Sequence, residues 1–208
     1  MADLNALKEA VIGGEQAAAV KLTKAAMDEK LLPERILKEG LIAAMETIGD
    51  RFTRSEIYIP EMMMAARAMK SAMEILEPAL VKAGVKPVGK LVIGTVAGDL
   101  HDIGKNLVAM MMKGAGFEVI DLGVDVSPER FVEQAKAANA QLIGVSTLLT
   151  TTMPMMGEVV KAVKKAGMKT KILIGGAPVT NDYAGKIGAD GYAPDAAAAV
   201  AVAKGLVA

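Results

Sequence analysis

Leu91-Val92-Ile93-Gly94-Thr95-Val96-Ala97-Gly98-Asp99-Leu100-His101-Asp102-Ile103-Gly104 decides the fold. A short apolar run rich in β-branched residues ends in a charged, glycine-bearing turn, which opens directly into a helical pattern from Lys105 onward. A run of this length bounded by turn signals is a strand buried on both faces. The alternation recurs downstream. Strands are expected at 90–96, 118–122, 142–146, 171–174 and 190–193, with helices at 104–115, 127–138, 154–166, 180–187 and 195–206. Strand and helix alternating five times specify an α/β domain with a doubly wound parallel sheet.

Upstream, residues 1–83 follow a different pattern. Ala, Leu, Lys, Glu and Met dominate, all good helix formers. Leu37, Leu41, Ala44, Met45 and Ile48 repeat at three to four residues, an amphipathic stripe. Punctuation falls at Gly13-Gly14, at Pro33 and over 50–55, with a new helix beginning near Pro60, where proline suits a first turn. Four helices joined by short loops predict a small N-terminal bundle. Residues 84–89, Gly-Val-Lys-Pro-Val-Gly, form a linker, and 90–208 form the α/β domain.

Composition limits the chemistry. The 208 residues carry 24 basic and 24 acidic side chains, so the net charge is zero. That balance argues against a nucleic-acid partner and a polybasic membrane patch. No apolar stretch reaches the roughly 18 residues of a membrane span, and the start lacks a secretory apolar region, so a cytoplasmic protein is expected. With no cysteine, disulfides, thiolate nucleophiles and iron–sulfur ligation are out. There is one histidine, His101. A single imidazole is a poor site for a bare zinc ion, which takes three or four protein ligands. It suffices for a metal already held by a macrocycle and lacking one axial ligand.

In an open parallel sheet, ligands bind beyond the carboxyl ends of the strands, where the strand order reverses. The common five-strand order 2-1-3-4-5 puts that crevice between strands 1 and 3. The loop after strand 1 holds Gly98, Asp99, His101, Asp102, Ile103 and Gly104. The loop after strand 3 holds Ser146-Thr147-Leu148 and runs through Thr150 to Thr152. Strand 4 leads into Gly175-Gly176. Each feature also has a purely structural explanation. Asp99 can cap the next helix, Ser146 can bond backbone, the glycine pair can make a turn, and methionines fill cores. A P-loop is excluded by spacing, because five residues instead of four separate Gly98 from Gly104, and Asn106 follows Lys105 in place of Ser or Thr.

Asp99-Leu100-His101-Asp102-Ile103-Gly104, then 41 residues, then Ser146-Thr147-Leu148, then 26 residues, then Gly175-Gly176 resembles the D-x-H-x-x-G … S-x-L … G-G signature of cobalamin-binding domains. The helical half resembles the cap that precedes this fold in corrinoid methyl carriers and methionine synthases. The resemblance implies a flavodoxin-like, Rossmann-type sheet carrying cobalamin base-off and His-on. His101 would be the cobalt ligand, and Asp99 would accept its other ring N–H and fix the tautomer. A hydroxyl six residues after Ser146, here Thr152, would complete the chain. Ser146 would bond the base of the displaced nucleotide tail, in a slot between strands 1, 3 and 4 that Gly175, Gly176 and Tyr192 also line. Gly98, Asp102, Ile103, Gly104, Leu148 and Thr150 would lie around the corrin. Tyr58, Met62 and Met63 of the cap would approach its upper face.

The resemblance further implies a methyl carrier of a three-component system. A substrate-specific methyltransferase would load it, with a methyl ether as the first expected donor and methanol, methylamine or glycine betaine next. A second methyltransferase, using tetrahydrofolate or a similar acceptor, would unload it. A reductive activator would rescue oxidised cobalt, and the linker would act as a hinge. The alternative is a cobalamin sensor or storage protein without methyl transfer.

Overall fold

The computed structural model describes residues 3–208. They form two compact units, one of residues up to Pro87 with Gly114–Gly116, the other of Val88–Lys113 and Phe117–Ala208.

The helical unit has four rods: α1 (Leu4–Ile12), α2 (Gln16–Asp28), a third built in three segments, and α5 (Ile59–Lys82). The third rod starts as α3 (Pro33–Arg35), passes through a π-helical stretch at Ile36–Ile42 and continues as α4 (Ala43–Thr53). The expected stripe lies inward, with Leu41, Ala44, Met45 and Ile48 all buried. Gly40 lies in the π-helical stretch, and a Cβ there would come within 2.7 Å of Leu7 Cδ2, so a larger residue would force these helices apart. One expectation needs correcting. The punctuation read from Asp50 starts too early, because α4 stays helical to Thr53; the chain does turn at Arg54, within the span read as a break. Asp50 is a weak helix former on the helix surface, but Arg51 beside it is a good one, and packing overrides a preference of a few tenths of a kcal/mol. At the next start, the Glu61 carboxylate accepts the Tyr58 backbone N–H at 3.1 Å. α5 closes on paired bonds, Val85 N–H to Leu80 O and Gly84 N–H to Val81 O, with Gly84 in the left-handed region, the usual glycine stop.

The second unit is a five-stranded parallel sheet in the order β2-β1-β3-β4-β5. Its strands are β1 (Lys90–Thr95), β2 (Glu118–Asp121), β3 (Leu142–Ser146), β4 (Lys171–Gly175) and β5 (Gly191–Ala193). Between and after them run α6 (Ile103–Gly114), α7 (Pro128–Ala138), α8 (Met153–Lys165), α9 (Asn181–Ile187) and α10 (Ala196–Val207). Strands and helices fall where the alternation predicted them, within a residue or two at each end. Val92, Ile143, Val145 and Ile174 pack with Phe131, Met156 and Val160 in a core with no residue more than 7% exposed. Register settles where the loops meet. Thr95 pairs with Ser146, Ser146 with Gly175, and Gly175 with Ala193. Four strands therefore end on one row, and the loops after β1, β3 and β4 leave from the same edge.

Candidate functional site

Asp99 is at the centre of that edge. It is fully buried, yet its carboxylate is saturated with donors. Oδ1 accepts the His101 backbone N–H at 3.1 Å and faces His101 Nδ1 at 2.7 Å. Oδ2 accepts Thr147 Oγ1 at 2.7 Å, Leu148 N–H at 2.7 Å and Leu149 N–H at 3.3 Å, with Thr152 Oγ1 also 3.3 Å away. Burial alone would push this carboxyl up. The bonds from Leu148, Thr147 and His101 outweigh it and hold Asp99 well below the usual carboxylate range. The carboxylate is therefore ionised and acceptor-only, so Nδ1 of a neutral His101 carries the proton and Nε2 presents its lone pair. Nε2 has no partner among the described residues, and the His101 side chain is 52% exposed.

The third member of the chain differs from expectation. Thr147, the middle residue of Ser146-Thr147-Leu148, bonds Asp99 at 2.7 Å, while Thr152 reaches it only at 3.3 Å. The two threonine oxygens are 2.6 Å apart. Since Thr147 has one proton and gives it to Asp99, Thr152 is the donor between them, sharing its proton with Leu149 O at 3.0 Å. The chain runs Thr152 to Thr147 to Asp99, with His101 on the other side. Sequence reasoning missed Thr147. The available signal was a hydroxyl directly after the last residue of β3, where backbone N–H groups also point outward.

Gly176 supports this geometry. Its φ is +133°, and a Cβ there would lie 1.8 Å from Thr147 O, so only glycine lets β4 pass the Thr147 backbone. The glycine pair was expected to leave room for a ligand tail. Its second member is packed against the backbone of Thr147, the residue that holds Asp99.

The other expected residues divide into groups. Leu100 and Ile103 are 72% and 76% exposed and Leu148 44%, leaving apolar side chains in water around His101. Gly104 borders open space, since a Cβ there would meet nothing within 4 Å. Thr150 is exposed, and Ser146 is half-buried at the end of β3. Gly98, at φ +81°, donates to Asp125 Oδ1 at 2.7 Å. Asp102 accepts from Asn106 Nδ2 at 3.0 Å and so serves the first turn of α6. Tyr192 packs against the sheet core. In the helical unit Tyr58 is exposed and Met63 half-buried, but Met62 is fully buried. Met62 fills the bundle rather than offering a surface, because the 3.6-residue period turns it inward with Ala65, Ala66 and Met69.

This donor set suits one kind of metal centre. No group of three or more His, Asp or Glu side chains among the described residues is placed to hold an ion. What exists is one imidazole nitrogen with a fixed tautomer, set among exposed apolar side chains beside an open glycine. That fits a metal delivered inside a broad, largely apolar macrocycle.

Comparison with known proteins identifies the family. Family profiles described as B12 binding domains match residues 89–201 and residues 3–77. Dimethylamine corrinoid protein 1 of Methanosarcina mazei is 46% identical over 98% of this chain and 95% of its own length. A corrinoid protein of Desulfitobacterium hafniense is 41% identical over 98% and 96%. Among solved structures, a cobalamin-binding protein from D. hafniense superposes with TM-score 0.83 at 33% identity, covering both chains in full. The methanol:cobalamin methyltransferase complex of Methanosarcina barkeri gives 0.87 at 28% identity, over 98% of this chain and 79% of that one. The chain belongs to the family of B12-binding corrinoid proteins, and cobalamin is its cofactor. Within that family it falls with the corrinoid proteins of methylamine and methanol methyltransferase systems.

Proposed function

We propose that this chain is a methyl carrier that shuttles between two methyltransferases, with His101 as the residue that would hold the cobalt of cobalamin. Bound cobalamin supplies a cobalt that accepts and releases a methyl group; the residues do the rest. His101 Nε2 presents the lone pair. Asp99 orients the ring and raises its basicity through the 2.7 Å contact at Nδ1. Thr147 and Thr152 hold Asp99 and offer a hydroxyl chain for the proton that accompanies histidine association and release. Leu100, Ile103 and Leu148 seat the corrin, and Gly104 leaves room for it. Ser146, Gly175, Gly176 and Tyr192 would line the course of the nucleotide tail.

A substrate-specific methyltransferase would load the carrier. A second one, passing the methyl to tetrahydrofolate or a similar acceptor, would unload it, with a reductive activator in support. The relatives that name a donor name methylated amines and methanol, which supports a small methylated amine ahead of a methyl ether. The single observation that carries the proposal is the unpartnered Nε2 of a half-exposed histidine whose Nδ1 is tied to a buried carboxylate.

The test is full-length protein loaded with cobalamin. With 15N-labelled histidine, the cobalt(II) form of the wild type should show the doublet splitting of a labelled imidazole, distinct from the triplet of the cofactor's own base, and His101→Ala should lose that doublet. A wild-type spectrum from His101→Ala sinks the axial assignment. Methyl uptake from di- and trimethylamine, methanol and anisole, each with its matching methyltransferase, identifies the donor. No uptake from any donor would favour a sensor or storage role.

A further inference from the structure

The loop bearing His101 is fastened from a side the cofactor motif does not include. β2 flanks β1 opposite β3, and the turn after β2 grips the loop after β1. Asp125 makes the grip. Its Oδ1 accepts Gly98 N–H at 2.7 Å, and its own N–H donates to Asp99 O at 3.0 Å. These two groups flank the short stretch that sets the direction of the Asp99 side chain. Asp125 does this from φ +54°, a region that costs a residue with a Cβ and persists where surroundings impose it.

The turn is itself braced. Thr95 N–H donates to Gly123 O at 3.0 Å, and Val126 N–H to Thr95 O at 2.9 Å. Lys105, 2% exposed at the start of α6, places Nζ 2.7 and 2.6 Å from the two Asp121 oxygens, and Asp121 also accepts Gly123 N–H at 2.9 Å. From within β1, Thr95 Oγ1 donates to His101 O at 2.8 Å. Gly98 N–H, Asp99 O and His101 O are thus all held from β1 or from the turn after β2. Gly98, left alone, would have wide freedom in φ.

We infer that Asp125 is a positioning residue for the cobalt ligand: by clamping Gly98 and Asp99 it keeps the carboxylate under His101 Nδ1 and so holds Nε2 on the axis of the metal. This rests on His101 being the axial ligand. Ligation tolerates errors of only a few tenths of an ångström, so a loosened loop should cost ligation before it costs the fold.

Two substitutions separate the hydrogen bond from the backbone conformation. Asp125→Gly relieves the left-handed φ and removes the acceptor. Asp125→Asn keeps an acceptor oxygen and tolerates the same φ. The protein, made with 15N-labelled histidine, is loaded with cobalamin, and the doublet splitting of the cobalt(II) form gives the His-ligated fraction, with apoprotein melting followed alongside. Asp125→Gly should shift the ligation equilibrium about tenfold toward the unligated form, the size expected for losing a hydrogen bond to a charged acceptor. Asp125→Asn should stay within about twofold of wild type. A wild-type ligated fraction in Asp125→Gly overturns the inference, as does a loss that merely tracks a fall in melting temperature shared by Asp125→Asn. His101→Ala supplies the unligated reference. If it keeps the splitting, the axial assignment itself is overturned, an outcome distinct from a normal Asp125→Gly beside a silent His101→Ala.

Discussion

Among the described residues, the helical unit buries one polar side chain, Thr23, which bonds Ala19 O one turn back at 2.8 Å. The α/β unit buries five: Thr95, Asp99, Lys105, Thr147 and Thr152. Asp99 finds its partners on the loop after β3, and Lys105 finds Asp121 at the end of β2. A bond within one helix needs only the helix. A bond across strands needs the whole sheet in register, and a missing partner leaves a buried group unsatisfied at a cost of about 1–3 kcal/mol. Buried polarity that depends on tertiary structure is thus concentrated around His101 and the loops beside it, while the helical unit is held by apolar packing.

Mutations should keep the two regions separate. Met62→Ala should cost about 2–5 kcal/mol of stability by opening a cavity in the helical unit. Urea unfolding would measure it, and the nitrogen splitting from His101 should remain. If the splitting vanished in folded Met62→Ala, the two regions would not be separable. Asp99→Asn should weaken cobalamin binding roughly 10–100-fold, because one carboxamide group must meet a donor with its own NH2. Equal affinity by spectral titration would count against Asp99 as the orienting partner.

The same residue sets an acid limb. Its pKa is lower in the folded chain than the unfolded value of about 3.9, so its contribution to stability is complete above about pH 5 and is lost as pH falls below about 4. Asp99→Asn should flatten that limb of the stability curve. The smallest effects should come from the hydroxyls. Thr147→Val should cost about 1.5 kcal/mol and Thr152→Val less, in line with their 2.7 and 3.3 Å distances to Asp99. The reverse order in thermal melting would return Thr152 to the primary position.

Much of this was legible in the residues. Val92, Ile93, Val145 and Ile174 read as strands because helices cover both faces of a parallel sheet and demand continuous apolar runs. His101 stood out through scarcity, and Asp99 through its place two residues before it in a loop at a strand end. Thr147 was not legible. Four threonines lie among residues 147–152, and composition cannot rank them; the turn of the chain after β3 does, by aiming Leu148 N–H and Thr147 Oγ1 at the same oxygen. The purpose of Gly176 was hidden for a similar reason, since its neighbour Thr147 is 29 positions away in the chain.

The sequence by itself determined the order of elements, the parallel sheet, the cobalamin motif and the lone nitrogen that can meet the metal. These follow from local pattern, spacing and residue type. The tertiary structure alone decided which hydroxyl holds Asp99, why Gly176 must lack a side chain, which way Met62 turns, and that Asp125 clamps the ligand loop. Each of those depends on distances of a few tenths of an ångström between segments that meet only once strand register is fixed, and a linear sequence carries no such distances.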